Sequence, residues 1–164
     1  DFPKPGIVFK DITPVLANGP LFERVINRFA DELNGLGVTK IVGIDARGFI
    51  FAGAVAYKLG LGLVPIRKKG KLPAETVGHD YELEYGVDRI EIHTDAITEG
   101  ERVLLVDDLI ATGGTAEAAV LLIRKLGGEI VECAFAIDLP DIGGATRLKK
   151  LDVKVFALTA FEGH

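Results

Sequence analysis

Apolar residues along the chain come in two rhythms. In residues 21–36, Phe22, Val25, Ile26, Phe29 and Leu33 recur every three or four positions, which predicts a helix with one buried stripe, closed by Gly35 and Gly37. In residues 40–45 the apolar positions are nearly continuous (Ile41, Val42, Ile44), as in a strand buried on both faces. Residues 48–59 predict a helix whose small residues, Ala52, Gly53, Ala54 and Ala56, permit close packing. Further strands over 63–67, 103–106, 130–137 and 153–158, with helices over 115–126 and 145–151, continue the alternation. Residues 68–98 are more polar. Within them Arg89, Ile90, Glu91, Ile92 and His93 alternate as an exposed antiparallel strand would. The opening residues 1–14 carry three prolines (Pro3, Pro5, Pro14) and Gly6, too many breakers for one regular element.

Buried strands alternating with helices imply an α/β fold, a mainly parallel twisted sheet with helices on both faces. No repeat or linker interrupts the 164 residues, so a single domain over 1–164 is expected. The chain does not begin with Met, and an N-terminal segment is expected to precede Asp1. In open parallel sheets, ligands bind beyond the C-terminal ends of the strands. That rule directs attention to residues 45–48, 67–71, 107–115 and the stretch from Asp138 onward.

Composition narrows the function. The net charge of −5, with no basic stripe, argues against nucleic acid as a partner, so any phosphate has to be held by a local site. No apolar stretch approaches the ~20 residues of a membrane helix, and no signal peptide is recognisable. Cys133 is the only cysteine, which excludes an internal disulfide. Its apolar surroundings suit a small buried hydrophobe in a reducing cytoplasm. His79, His93 and His164 have no metal-ligand spacing and are expected at the surface.

The strongest chemical signal is V-L-L-V-D-D-L-I-A-T-G-G-T over residues 103–115. A buried strand delivers Asp107 and Asp108 to its C-terminal end, and a glycine loop then opens a helix. Backbone N–H groups of Ala111, Thr112, Gly113, Gly114 and Thr115 can converge on an anion, helped by the helix N-terminus and two threonine hydroxyls. The carboxylates would repel that anion, so they face something else: a vicinal diol or a divalent metal. A phosphate beside a diol describes a ribose 5-phosphate. The plainer alternative is an N-capped turn with two solvated aspartates. Neither a G-x-x-x-x-G-K-[ST] loop nor a dinucleotide fingerprint is present.

This stretch resembles the phosphoribosyl pyrophosphate (PRPP) motif of the type I phosphoribosyltransferases. The resemblance implies that Asp107 and Asp108 contact the ribose hydroxyls while Ala111 to Thr115 hold the 5-phosphate. Four more segments resemble the adenine phosphoribosyltransferases. G-I-D-A-R-G-F over 43–49 resembles their pyrophosphate loop, which implies PRPP contacts at Asp45, Ala46 and Arg47, a base contact from the Arg47 backbone, and a non-proline cis peptide near Asp45-Ala46. R-K-K-G-K over 67–71 concentrates four cations in five residues, and the resemblance points to Arg67 and Lys71 as pyrophosphate contacts. Y-E-L-E-Y-G over 81–86 resembles the flexible active-site loop, a lid carrying Tyr81, Glu84 and Tyr85, in which Glu84 exchanges a proton with the purine. F-P-K-P-G-I-V-F-K-D over 2–11 resembles the adenine-pocket strip, which implies base contacts at Val8 and Phe9, with Leu139 on the opposite face. Lys10 stands where many members have arginine, so a bidentate contact there would be lost.

The likeness runs from Phe2 to His164 and lacks only an N-terminal helix that the family often carries. It implies the type I fold, with an antiparallel active-site loop and a small hood from the N-terminal segment. The implied reaction transfers the 5-phosphoribosyl group from PRPP to adenine, giving AMP and pyrophosphate in purine salvage. The expected cofactor is Mg²⁺, held through substrate and Asp107 or Asp108. A cytoplasmic homodimer is expected, with Arg67 or Lys71 contacts that cross its interface. Two rivals remain: transfer to xanthine, hypoxanthine or guanine, and a non-catalytic PRPP-sensing regulator on the same domain.

Overall fold

Each apolar run of the sequence becomes one element of a single layered sheet. The computed structural model describes Pro5, residues 10–83 and residues 85–162. In chain order the elements are α1 (Thr13–Ala17), α2 (Gly19–Leu33), β1 (Lys40–Ile44), α3 (Gly48–Leu59), β2 (Gly62–Lys68), β3 (Thr76–Glu82), β4 (Val87–His93), β5 (Arg102–Ile110), α4 (Gly114–Lys125), β6 (Glu129–Asp138), a 3-10 turn (Pro140–Ile142), α5 (Gly144–Lys149) and β7 (Val155–Ala160). The sheet has seven strands in the order β3-β4-β2-β1-β5-β6-β7. β2, β1, β5, β6 and β7 run parallel, while β3 and β4 form an antiparallel edge.

The nearly continuous apolar strands are explained by a core on each side of the sheet. On one face α2 and α3 bury Phe29 and Phe51 against Ile41, Leu104, Val106 and Ala134. Phe51 meets Phe22 and Phe29 edge to face, with ring centroids 6.1 and 6.2 Å apart. Such pairs contribute about 0.5–1.5 kcal/mol beyond the area they bury. On the other face α4 and α5 cover Val42, Ile66, Ile90, Leu105 and Phe135.

Several elements depart from the pattern read along the chain. α2 begins before Leu21, because the Asn18 side chain accepts from Leu21 N at 3.1 Å and Pro20 fits the first turn, and it ends at Leu33. α1 was hidden by the prolines around it. β5 does not stop at Val106. Pairing with β6 carries it through Asp107 and Asp108 to Ile110, so both acids are strand residues. β4 is not simply exposed, since Ile90 and Ile92 are buried on the face that α4 covers. Its partner β3 escaped notice because its alternation is almost wholly polar. The hood expected from the N-terminal segment lies mostly outside the described residues.

Candidate active site

A cavity of about 390 Å³ opens at the C-terminal ends of β1 and β5, where the parallel-sheet rule places ligands. Its wall includes Asp45, Ala46 and Arg47 after β1, Lys68 from β2, Tyr81 from β3, and residues 107–116. Residues 45–47 and 107–115 are therefore brought together, whereas Arg67 and Lys71 are not among the residues that line the cavity.

Two crossed ion pairs organise the mouth. Arg47 Nε lies 2.6 Å from Asp108 Oδ2, and Arg67 Nε lies 3.3 Å from Asp45 Oδ2. These pairs tie the end of β1 to β5 and β2 to β1. The peptide between Asp45 and Ala46 is cis, as the resemblance implied. Asp108 is buried and Arg47 more than half exposed, so one carboxylate is fixed and its cation faces solvent. Burial pushes the Asp107 carboxyl well above the usual carboxylate range, and the neighbouring Asp108 adds to the effect. Asp107 sits tightly against the start of α3: a Cβ on Gly48 would lie 2.5 Å from Asp107 Oδ1.

The loop before α4 has the form an anion site needs. Gly113 takes φ +83° at the N-cap of α4, where it brings no side chain of its own. Gly144, at the start of α5, braces the loop from behind by donating its N–H to Ala111 O at 2.9 Å. Thr112 Oγ1 accepts from Gly114 N at 3.3 Å.

The four-cation run is divided by the two-residue period of β2. Lys68 falls on the cavity side, with Nζ 2.6 Å from Asp88 Oδ2. Arg67 falls beside Phe49 of α3, its guanidinium carbon 6.0 Å from the ring centroid. Lys71 is exposed in the following turn and its carbonyl accepts from Arg67 Nη1 at 3.5 Å. Lys68 was not singled out in the sequence, although alternation from buried Val64 and Ile66 would have placed it on this face.

Tyr81 lines the cavity and donates its hydroxyl to Asp88 Oδ2 at 3.2 Å, while Tyr85 at the hairpin tip is almost fully exposed. Glu84 lies outside the described residues, as do Val8, Phe9 and His164. Leu139 is buried among the core residues of the α2 and α3 face, and its N–H donates to Ile110 O at 3.1 Å, beside the end of β5. His79 and His93 are half-buried on the antiparallel edge rather than freely exposed, and His93 Nε2 lies 2.7 Å from Pro73 O. No group of three or more His, Cys, Asp or Glu side chains that could hold a metal occurs among the described residues.

Residues 15–162 match the phosphoribosyl transferase domain family. The adenine phosphoribosyltransferase of Nitrosospira multiformis is 60% identical over 163 residues, covering 99% of this chain and 93% of that protein. The crystal structure of adenine phosphoribosyltransferase from Rhodothermus marinus superposes with a TM-score of 0.91 at 50% identity, covering 98% of this chain and 91% of the other. That from Saccharomyces cerevisiae, a complex with an iminoaltritol bisphosphate and adenine, gives 0.89 at 41% identity over 96% and 90%. The chain belongs to the phosphoribosyltransferase family, among the adenine phosphoribosyltransferases.

Proposed function

We propose that the protein transfers the 5-phosphoribosyl group of PRPP to adenine, giving AMP and pyrophosphate, as a step of purine salvage. The carrying observation is the cavity that joins a glycine loop at the start of α4, a carboxylate pair and two flanking cations at the ends of β1, β2 and β5. The yeast relative held adenine together with a sugar-like bisphosphate, which fits the same division of the site.

The parts account for the chemistry. Ala111, Thr112, Gly113, Gly114 and Thr115 hold the 5-phosphate through backbone N–H groups and the positive end of α4. Asp107 and Asp108 take the ribose diol. Burial raises the Asp107 carboxyl, which eases the repulsion between two adjacent carboxylates that face one diol. The C1′–oxygen bond to pyrophosphate breaks as adenine N9 bonds to C1′, and the N9 proton leaves to a base. Glu84 is assigned that proton. Negative charge grows on the departing pyrophosphate, and Arg47, Arg67, Lys68 and Lys71 offset it, with the Asp45 and Ala46 backbone shaping the loop. Val8, Phe9, Leu139 and the Arg47 backbone enclose the base. Tyr81, Glu84 and Tyr85 belong to a lid that excludes water, which would otherwise hydrolyse PRPP.

Mg²⁺ suits a metal that arrives on PRPP. Asp107 and Asp108, one already paired with Arg47, are too few to cage the ion alone; they would hold it together with the diphosphate, and it would supply neutralisation of the leaving group's charge. A homodimer is supported by Ile50 and Tyr57 on α3 and Leu63 on β2, which leave apolar surface exposed on the side where Arg67 emerges. No described helix is long and apolar enough to cross a membrane.

The reaction is tested by pyrophosphate release. Release on mixing protein, Mg²⁺, PRPP and adenine, and its loss when adenine is withheld, are expected. Release at the same rate without adenine would refute transfer to the base.

A further inference from the structure

The loop assigned to the 5-phosphate has a cation beside it that no motif of the sequence marks. Arg147 lies on α5, and its Nε donates to Glu117 Oε2 at 2.5 Å. Glu117 stands in the first turn of α4, so this pair spans the two helices that open on either side of the loop. The other end of the guanidinium points to the loop itself. A Cβ on Gly114 would lie 3.7 Å from Arg147 Nη1 and equally 3.7 Å from Thr112 Oγ1, with the Tyr81 ring at 3.9 Å. The backbone bond from Gly144 to Ala111 at 2.9 Å fixes α5 to this loop, so Arg147 is carried at a set distance from it.

We propose that Arg147 is a specificity-determining contact of the 5-phosphate, and that Glu117 is its positioning residue. The inference rests on reading residues 111–115 as the 5-phosphate loop. An arginine held by Nε keeps both terminal nitrogens in one plane for an incoming anion, so the fork is oriented before the ligand arrives. Glu117 would otherwise repel a phosphate at the start of α4. Arg147 between the two anions satisfies both. A sugar without the 5-phosphate leaves this cation with Glu117 alone.

The test is the affinity of AMP against that of adenosine, measured by calorimetry on the whole protein. Arg147→Gln is expected to weaken AMP by roughly tenfold, the loss of one charge-assisted contact, and to leave adenosine unchanged. Arg147→Lys recovers part of the loss. Glu117→Gln weakens AMP by about twofold to fivefold, because the fork loses its anchor. The Arg147→Gln, Glu117→Gln double variant decides the mechanism. Affinity that stays as low as in Arg147→Gln supports a direct contact. Affinity restored in the double variant would show that Arg147 only neutralises Glu117, and would overturn the proposal. Equal affinity of the unaltered protein for AMP and adenosine would instead sink the reading of the loop, separately from any effect of Arg147. Thermal unfolding of each variant in the absence of ligand confirms that the comparison is between folded proteins.

Discussion

Replacing Gly144 by alanine tests the fit between α5 and the phosphate loop. The new Cβ would lie 2.4 Å from Ala111 O, 2.7 Å from Ile110 Cγ1 and 2.9 Å from Gly113 N. Ordinary contact begins near 3.4 Å, so backbone must separate by 3.4 − 2.4 = 1.0 Å. Overpacking of this kind costs about 1–3 kcal/mol. The same movement stretches the Gly144 N–H···O=C Ala111 bond, worth about 0.5–1.5 kcal/mol. The sum, about 2–4 kcal/mol, corresponds to a fall in Tm of roughly 5–15 °C for a chain of this length. The damage is directed at the site as well, because the displaced atoms belong to the loop. KM for PRPP should rise by roughly 10- to 100-fold, the penalty of a misplacement near 1 Å. Gly143→Ala is the matched control. Gly143 has φ +93° but nothing within 4 Å of its Cβ position, so only backbone strain of about 1–2 kcal/mol is expected. Scanning calorimetry and PRPP kinetics on both variants provide the readout. If Gly144→Ala unfolds no earlier than Gly143→Ala and keeps its KM, the close approach does not brace the loop.

Removing the carboxylate pair with Asp107→Asn and Asp108→Asn should reduce kcat/KM for PRPP by about 10²- to 10⁴-fold, the scale of two hydrogen bonds to charged groups; steady-state kinetics near those of the unaltered protein would end the ribose assignment. Glu132 is fully buried beside Glu32, with Lys154 Nζ 3.9 Å away, and burial raises its carboxyl from near 4.5 to about 6. The native state therefore binds more protons than the unfolded chain between those values, and stability falls as pH rises from about 4.5 to about 6. Glu132→Gln should remove that slope and gain about 2 kcal/mol at pH 7, with no gain at pH 4, as read by urea unfolding; equal slopes in both proteins would contradict it. Cys133 is fully buried and burial pushes its thiol up, so a chromogenic disulfide reagent should modify the protein only after denaturant is added.

The layers of the fold were readable because the apolar runs are long and their periods distinct. α3 occupies residues 48–59 as the small-residue pattern indicates, and β1 and β6 differ from their expected spans by no more than a residue at either end. The antiparallel edge was harder. β3 offers Thr76, Gly78, Asp80 and Glu82 against Val77 and Tyr81, so its strand character comes from pairing with β4 and not from its own residues. Likewise Asp107 and Asp108 look like a strand end, yet neighbouring β6 draws them into the sheet. At the site, local motifs reveal which residues approach the strand ends but not which partner each will choose. The exchange that pairs Arg47 with Asp108 and Arg67 with Asp45 joins residues 61 and 22 positions apart. Lys68 was recoverable from the strand period alone. Arg147 was not, since only the packing of α5 on the loop brings it near Gly114.

The central claim is tested most directly by incubating the protein with PRPP, Mg²⁺ and equal amounts of adenine, hypoxanthine, guanine and xanthine, and identifying the nucleotide formed by mass. AMP as the dominant product is expected. IMP, GMP or XMP in its place would contradict the assignment of adenine, and the absence of any nucleotide from a protein that still binds PRPP would contradict the transfer itself.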